Sequence, residues 1–359
     1  MWKSSAPPST RAARTSTTMS GEKRRWLAAS ATPWDGVSDD DLGPSQRIVR
    51  DCHRDIYRYR HAHANLDGEA EFFNGYPRDA CPRCGSASIV RVGRDSSGVQ
   101  RWRCRSCRRS FTPMTGTIFE GHKLPVADWT EFLLEVFSYE SMQGMTRSNR
   151  RSSTTIPYWF AKLFAVLEGV QDGTVLRGRV QIDETLYPLA LADQPRMPDG
   201  SRMPGGYSRS RLCIGIGCDG AGSSVYRCEG AGKTSGAKTM RAFGSSIERG
   251  SVLVHDSENG HNRLVRELGL VDERYDSKLI KGLPDRENPL RDVNRLCYLL
   301  KLFLDSHSGF DRSDVGGYLD VFWVMMNPPA DKMEKAAFVL DRAMSVPISL
   351  SFRDFYGIR

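Results

Sequence analysis

The apolar residues of the chain follow two different periods, and the first of them is helical. Between residues 122 and 169, apolar positions recur every three or four residues, which predicts two helices separated by the polar stretch 144–155. The repeating positions are Trp129, Phe132, Leu133 and Phe137 in the first helix and Trp159, Phe160, Leu163, Phe164 and Leu167 in the second. Two helices around a turn are typical of a helix-turn-helix that enters DNA, and equally of a small packing bundle.

Beyond residue 174 the period changes to two, which predicts strands. Residues 180–182 alternate apolar and polar side chains and lead directly into Asp183. A second strand over 212–216 and a third over 225–228 are separated by a glycine-rich turn. We therefore expect a three-stranded antiparallel meander with an acid on its first strand.

The next elements bring a second acid to the end of a strand. A helix is predicted over residues 235–248, and the apolar strand 251–254 is followed by His255 and Asp256. A carboxylate at the end of a buried strand costs solvation free energy unless a cation or hydrogen bonds compensate it. Asp183 and Asp256 on neighbouring strands would suit a divalent metal ion, although an aspartate at a strand end is also an ordinary turn or cap residue.

A further helix is predicted to start near Asn288 and Pro289, a capping residue followed by a first-turn proline. Its apolar face consists of Val293, Leu296, Leu300 and Leu304. Asn294 and Lys301 lie on the other side, seven residues and therefore about 10 Å apart along the axis. An oxygen ligand and a basic side chain on one face suit a metal and a phosphate, but a lysine on a solvated helix face needs no function.

The length and composition of the chain limit the classes of protein to which it can belong. The 359 residues suffice for two or three cooperative units, and no apolar run approaches the length of a membrane span, so we expect a soluble, cytoplasmic protein. Residues 1–44 are rich in Ser, Thr, Pro, Ala and Arg, which predicts a disordered leader, and Met19 is an alternative start. Nine cysteines fall as one quartet plus scattered singles, a distribution that suits a reducing compartment.

The cysteine quartet has the spacing of a zinc ribbon. Cys81 and Cys84 form one CxxC pair, and Cys104 and Cys107 form the other. Each pair presents two thiolates to one ion, and two pairs complete a closed tetrahedral site, so the zinc would be structural. The spacer reads as a strand, a turn over 93–98 and a return strand. Two redox CxxC pairs or four unrelated thiols are the alternatives.

The ribbon is also strongly basic. The formal net charge of the whole chain is +8, and residues 81–111 alone carry eight arginines against the single acid Asp95. The residues predicted to contact DNA are Arg101, Trp102, Arg103, Arg105, Arg108 and Arg109. Arginines contact phosphates, and aromatic rings pack on sugars or bases. A ribbon used for protein contacts is the alternative interpretation.

Several short motifs are spread from about residue 75 to the C-terminus. They are Cys81-Pro-Arg-Cys84-Gly, Arg101-Trp-Arg-Cys-Arg-Ser-Cys107, Ile182-Asp-Glu-Thr185, Gly232-Lys-Thr-Ser235, Val254-His-Asp-Ser-Glu258, Val293-Asn-Arg-Leu296, Leu299-Leu-Lys301, Asn327-Pro-Pro329 and Phe352-Arg-Asp-Phe-Tyr356. In their order and spacing, these motifs resemble those of the ISXO-like zinc-ribbon insertion-sequence transposases, distant relatives of the Merlin transposons.

The resemblance implies an α/β fold, with an RNase H-like mixed-sheet domain preceded by the zinc ribbon and the helical segment. It implies that Asp183, Asp256 and Asn294 bind two Mg²⁺ or Mn²⁺ ions, that Lys301 holds a phosphate or the flanking duplex, and that His255 orients Asp256. Most enzymes of this type have Glu at the third position, whereas Asn supplies a neutral and weaker oxygen ligand. The nearby acids that would compensate are Glu184, Glu258 and Asp292.

The implied function is DNA transposition. The enzyme would bind the terminal inverted repeats of its element at the nucleoid, cut them by a two-metal mechanism and join them to target DNA, as a homodimer or higher oligomer. A decayed or domesticated DNA-binding protein and an RNase H-like nuclease without strand transfer are the alternatives. The expected segments are the leader (1–44), an N-terminal helix and zinc ribbon (45–120), a helical segment with a candidate helix-turn-helix (121–173), the catalytic domain (174–327) and a C-terminal helical tail (328–359).

Overall fold

The computed structural model of the chain describes residues 31–59, 66–148, 151–204 and 208–358. The predicted leader lies outside these residues up to residue 30, but its remaining part is packed. Trp34 and Leu42 are buried, and Asp35 forms an ion pair with Arg54 of the first helix. These contacts tie residues 31–44 to the folded body, so the prediction that disorder extends to residue 44 is wrong.

Along the chain, a first helical part is followed by a small sheet, a second helical part, a large sheet with its own helices, and a final helical part. The helices are α1 (Pro44–Tyr59), α2 (Leu66–Asn74), α3 (Val126–Val136), α4 (Met142–Ser148), α5 (Thr155–Leu167), α6 (Gly236–Phe243), α7 (Asn262–Leu268), α8 (Ser277–Ile280), α9 (Arg291–Ser306), α10 (Val315–Met326), α11 (Lys332–Ser345) and α12 (Phe352–Tyr356). Short 3₁₀ helices occupy Asp39–Asp41, Ser208–Ser210, Asn259–His261, Asp285–Glu287 and Arg312–Asp314. The strands are β1 (Ile89–Arg94), β2 (Gln100–Cys104), β3 (Ser110–Phe111), β4 (Arg179–Pro188), β5 (Arg211–Asp219), β6 (Ser224–Ala231), β7 (Val252–Asp256) and β8 (Val271–Tyr275).

The first three strands form a separate antiparallel sheet in the order β1-β2-β3. The hairpin of β1 and β2 is the strand, turn and return strand that the cysteine spacer predicts. Asn74 at the end of α2 holds this hairpin on the helical body. Its side chain accepts a hydrogen bond from the backbone N–H of Gln100 at 2.7 Å and donates one to the carbonyl of Gly98 at 3.0 Å.

The remaining strands form a five-stranded mixed sheet in the order β6-β5-β4-β7-β8. The first three in sequence make the predicted antiparallel meander, whereas β7 and β8 add parallel to β4 on its other side. A meander extended by two parallel strands is the mixed sheet of an RNase H-like domain. The predicted fold class is therefore confirmed.

Helices cover both faces of this sheet. Helices α9 and α10 lie on one face, where Tyr187 and Val254 contribute to the larger core. Helix α6 lies on the other face, where Ile182 and Leu253 join a smaller core. Because successive side chains of a strand point to opposite faces, the neighbours Asp183 and Glu184 belong to different layers.

The helical segment 121–173 packs as a bundle and not as a helix-turn-helix. Trp129 of α3 stacks on Trp159 of α5 with ring centroids 4.9 Å apart. Every side chain of α5, which would be the recognition helix, is buried or half-buried. A recognition helix must expose side chains to a groove, so α5 cannot play that role in this fold. The polar stretch that we predicted to be a turn also contains α4.

Two other predicted boundaries shift. Helix α6 ends at Phe243, before the predicted residue 248, because residues 246–248 exchange backbone hydrogen bonds with Leu176 instead. The predicted C-terminal tail is helical, but α11 is not peripheral. It packs against α1, α3 and α5, with Ala336 and Leu340 almost fully buried.

A substitution at Gly317 in α10 tests the packing of α10 against α5. A Cβ at Gly317 would lie 2.3 Å from the Cγ of Phe164, whereas one at the adjacent Gly316 would meet nothing within 4 Å. We expect Gly317→Ala to lower the free energy of unfolding by about 1–3 kcal/mol. Gly316→Ala should change it by less than about 1 kcal/mol, in the stabilising direction. Denaturant titrations measure both, and equal effects would contradict this packing.

Candidate functional site

The two CxxC pairs form the first candidate site, and their backbone conformation follows from the local sequence. The residue after each second cysteine has a positive φ, +72° at Gly85 and 60° at Arg108. Glycine adopts this conformation without steric cost, which explains it after Cys84. The backbone N–H of Cys107 points at the sulfur of Cys104 from 3.5 Å. It is the largest of several contacts that together lower the pKa of that thiol to about 6.

The four sulfur atoms have the spacing of a zinc tetrahedron. Cys81 Sγ lies 3.7 Å from Cys107 Sγ, and Cys84 Sγ lies 3.6 Å from Cys104 Sγ. Zn–S bonds of about 2.3 Å place tetrahedral ligands about 3.8 Å apart, whereas a disulfide needs about 2.05 Å. The four thiols are free, and their ligand atoms lie within 4.8 Å of one another. The predicted closed, structural zinc site is therefore supported by its donor geometry.

The residues predicted to contact DNA fall into two groups, one buried in the ribbon and one exposed on its surface. Trp102 is only 5% exposed and stacks on Phe111 in the core of the ribbon, so the prediction that it touches DNA is wrong. The arginines at 101, 103, 105, 108 and 109 are all exposed, and within the described residues none forms an ion pair. Arg83, by contrast, lies 3.2 Å from Glu120. Successive side chains of a strand point to opposite faces. Trp102 therefore faces the ribbon core, while its neighbours on β2 face solvent.

The second candidate site lies on the large sheet. Gln181 of β4 pairs with Val254 of β7 in parallel register, so Asp183 and Asp256 follow two residues later on both strands. The two carboxylates therefore stand level on adjacent strands, which are about 4.8 Å apart, and on the same face, towards α9. This is the arrangement of two acids on neighbouring strands that the sequence predicts.

Burial dominates the electrostatics of Asp183. Together with the negative charges of Glu184 and Asp256, and against a hydrogen bond from the backbone N–H of Glu184, it raises the pKa of Asp183 to about 7. Asp256 accepts a backbone hydrogen bond from Glu258 at 3.0 Å. Two partly desolvated carboxylates without a cation carry an uncompensated electrostatic cost. A divalent cation would offset it.

Gln181 connects this pair to α9 and was missed by the sequence analysis. Its side-chain oxygen accepts hydrogen bonds from the backbone N–H groups of Asp292 and Val293, both at 3.1 Å. It thereby satisfies two of the free N–H groups at the helix start, where the preceding Leu290 offers no side-chain cap. The contact fixes the first turn of α9, and with it Asn294, relative to β4. Nothing in a lone glutamine on a strand signals such a long-range cap.

Asp183, Asp256 and Asn294 line one cavity of about 370 Å³. The other residues that line it are Ser277, Lys278, Ile280, Lys281, Asn288 and Leu290. Of the described residues that we singled out, Lys301 and the acids Glu184, Glu258 and Asp292 are not among them. The structure thus brings the predicted triad together, but it supplies lysines from α8 and its following loop instead of Lys301.

His255 does not orient Asp256 as we expected. Its side chain is fully buried, and although a ring nitrogen lies within 4.8 Å of a carboxylate oxygen of Asp256, its hydrogen bonds go elsewhere: Nδ1 lies 2.9 Å from His261 Nδ1 and Nε2 lies 2.9 Å from Asp272. His261 Nε2 in turn lies 2.8 Å from Glu184. Burial opposes charge on His261, but the contact with Glu184 and the negative charges of Asp256 and Asp183 together raise its pKa. Burial lowers the pKa of His255. A chain of three hydrogen bonds thus braces β4 and β7 behind the two aspartates.

The oxygen donors of the cavity suit a hard divalent cation. Mg²⁺ and Mn²⁺ prefer carboxylate and carbonyl oxygens, which Asp183, Asp256 and Asn294 offer. The fold and the two sites together define a protein with a structural zinc ribbon and an RNase H-like domain that carries a cluster of two acids and one amide. None of the described helices is long and apolar enough to span a bilayer.

Comparisons with known proteins agree with this description. Residues 80–108 match the zinc-ribbon family described as the InsA N-terminal domain. An uncharacterized protein in transposable element ISH50 of Halobacterium salinarum is 28% identical over 166 residues, which is 44% of this chain and 53% of that relative. The match thus spans about half the length of the relative. These two findings confirm the predicted resemblance to insertion-sequence transposases.

A solved structure, the crystal structure of a pre-cleavage Mos1 transpososome, was also found. It aligns with 62% of this chain and 79% of its own, at 10% sequence identity and a TM-score of 0.21. A score this low does not define a shared fold. The RNase H-like assignment therefore rests on the strand order and pairing of the large sheet alone.

Removal of one thiolate tests the zinc site. Structural zinc contributes roughly 10–16 kcal/mol in small zinc peptides, so we expect Cys84→Ser to lose bound zinc and to expose the ribbon to trypsin. Cys228→Ser is the matched control, because Cys228 is an exposed thiol outside the quartet. Zinc content by mass spectrometry and limited proteolysis report the result. Stoichiometric zinc and an intact ribbon in Cys84→Ser would contradict the assignment.

Proposed function

We propose that this protein is the transposase of an insertion sequence, which binds terminal inverted repeats and catalyses metal-dependent strand cleavage and strand transfer. One observation carries the proposal. Asp183 and Asp256 stand level on parallel strands of an RNase H-like sheet, and Asn294 lines the same cavity. The likeness of the chain to a protein in a transposable element supports the same conclusion.

Each residue of the triad has a distinct part in this proposal. Asp183 and Asp256 hold Mg²⁺ or Mn²⁺ as charged oxygen ligands, and Asn294 adds a neutral carbonyl oxygen that binds more weakly. When bound, these ions supply Lewis-acid activation of a water or 3′-hydroxyl and stabilisation of the leaving oxygen. Gln181 keeps Asn294 in place through the start of α9, and the buried histidine pair keeps β4 and β7 together.

In this proposal, the zinc ribbon binds the DNA. Its exposed arginines offer unpaired guanidinium groups, which contact phosphates and position the protein without reading sequence. Its hairpin is fixed to the helical body by Asn74, so DNA held by the ribbon has a defined position relative to the cavity. Transposition requires two ends in one complex, so the active form is at least a homodimer on DNA. Its site of action is the nucleoid.

Asn294 favours one alternative function. A neutral residue at the third position is also what a decayed or domesticated transposase would carry, and such a protein would bind DNA without cutting it. An RNase H-like nuclease that cuts without joining is the other alternative. Binding, cutting and joining are separable in vitro, and together they distinguish the three functions.

Replacement of the aspartates tests catalysis. We expect Asp183→Asn and Asp256→Asn each to lower the rate of Mg²⁺- or Mn²⁺-dependent nicking of labelled element ends by at least about a hundredfold. DNA affinity should remain. Asp285→Asn, an exposed acid outside the cavity, is the matched control and should cut like wild type.

Three outcomes of this assay separate the functions. Nicking by both aspartate variants at the wild-type rate would refute the proposed site. Wild-type protein that binds the ends but never nicks them would favour the non-catalytic function. Nicking without transfer of the 3′ end to a target duplex would favour the nuclease.

Loss of charge on the ribbon tests the DNA contact. We expect Arg101→Ala and Arg103→Ala each to weaken binding to duplexes of any sequence and to lower the slope of log affinity against log salt concentration by about 1. Arg83→Ala is the control, because its guanidinium is already paired with Glu120. Fluorescence anisotropy at several salt concentrations measures the slope. An equal loss in Arg83→Ala would indicate a general charge effect and not a contact surface.

A further inference from the structure

The cavity has a second wall that the sequence analysis did not anticipate. Helix α8 and the loop after it connect β8 to α9, and they bring Lys278 and Lys281 to the cavity that Asp183 and Asp256 line from the sheet. Lys301, the lysine expected to hold a phosphate, lies elsewhere on α9 and does not line this space. The lysines that line the cavity together with the two acids therefore come from a different element.

The position of the two lysines is determined by the fold. Ile280 stands between them and is only 8% exposed, as part of the large core. Asp276 caps α8 by accepting a hydrogen bond from the backbone N–H of Lys278 at 2.8 Å. Asn288 closes the following loop by accepting one from the N–H of Leu290 at 2.9 Å. A buried anchor and two local caps thus hold both lysines beside the cavity.

The ammonium groups of these lysines have no bonding partner among the described residues. Within the described residues, neither Lys278 nor Lys281 forms an ion pair or a side-chain hydrogen bond, and both are exposed. Other lysines of the chain are engaged: Lys162 donates to the carbonyl of Ile118 and Lys238 to that of Ala231. Even with carboxylates lining the same cavity, the two lysines do not pair with them. Their charge remains available for an anion.

We propose that Lys278 and Lys281 bind backbone phosphates of the DNA strand that enters the cavity. A lysine ammonium is a compact charge that binds phosphate oxygens, and the cavity otherwise presents acids that repel a phosphodiester. The two lysines lower that repulsion on the side opposite the sheet. This inference rests on the proposed function in one respect, namely that DNA enters this cavity.

Charge-removing variants test the proposal. In an Asp183→Asn background, which prevents cutting, Lys278→Gln and Lys281→Gln should each lower the salt slope of binding to a labelled element-end duplex by about 1. In the otherwise wild-type protein, the double substitution should lower the nicking rate by on the order of tenfold or more. Lys278→Arg with Lys281→Arg should retain both properties, because the charge is kept.

Two further variants serve as comparisons. Lys332→Gln is the matched control, because Lys332 is an exposed lysine at the start of α11 and does not line the cavity. It should leave the salt slope and the nicking rate unchanged. Lys301→Gln compares the lysine expected from the sequence with the two found in the structure. Circular dichroism of all variants verifies that they fold.

The outcomes separate this inference from the proposed function. Wild-type salt slope and nicking rate in the Lys278→Gln, Lys281→Gln protein would overturn the inference, and so would a loss confined to Lys301→Gln. If in the same experiments Asp183→Asn abolishes nicking, the proposed function stands without these lysines. If wild type never nicks but the lysine variants lose salt slope, phosphate binding stands and strand cleavage does not.

Discussion

The parallel pairing of β4 with β7 is the interaction on which the rest of the candidate site depends. It brings Asp183 and Asp256 level on one face of the sheet, about one strand spacing apart and partly desolvated. That proximity is unfavourable for the protein alone, since burial and mutual repulsion raise the pKa of Asp183 to about 7. The surrounding contacts hold the strands together despite this cost, and a divalent cation would offset it.

Because side chains alternate along β4, neighbouring residues of this strand make different contacts. Asp183 faces the cavity, while Glu184 turns to the other face and ends a hydrogen-bonded chain through His261 and His255 to Asp272. Because both histidines are fully buried, this chain replaces hydration that they have lost. One face of the sheet therefore carries the two aspartates, and Glu184 on the other face begins the polar bracing that keeps the two strands in register.

The zinc ribbon and the mixed sheet could be recognised from sequence for the same physical reason: both are specified by short-range patterns. Two CxxC pairs separated by a short hairpin offer four thiolates to one ion, so Cys81 and Cys84 with their partners indicate the site by their spacing. Period-two alternation also reports a strand from a few residues. The lone glutamine at 181 and the lysines at 278 and 281 carry no such local pattern, and their roles depend on elements far away in the chain.

What the sequence determined by itself was therefore the strands of the meander, the longer helices, the zinc ligands and the identity of the two strand-end acids. Tertiary structure alone decided which side chains face which neighbour. Trp102 is in the ribbon core, no side chain of α5 is fully exposed, and Lys301 does not line the cavity. Periodicity shows that a residue lies on one face or another, but only the packing of distant elements determines whether that face is buried, bonded or open to a ligand.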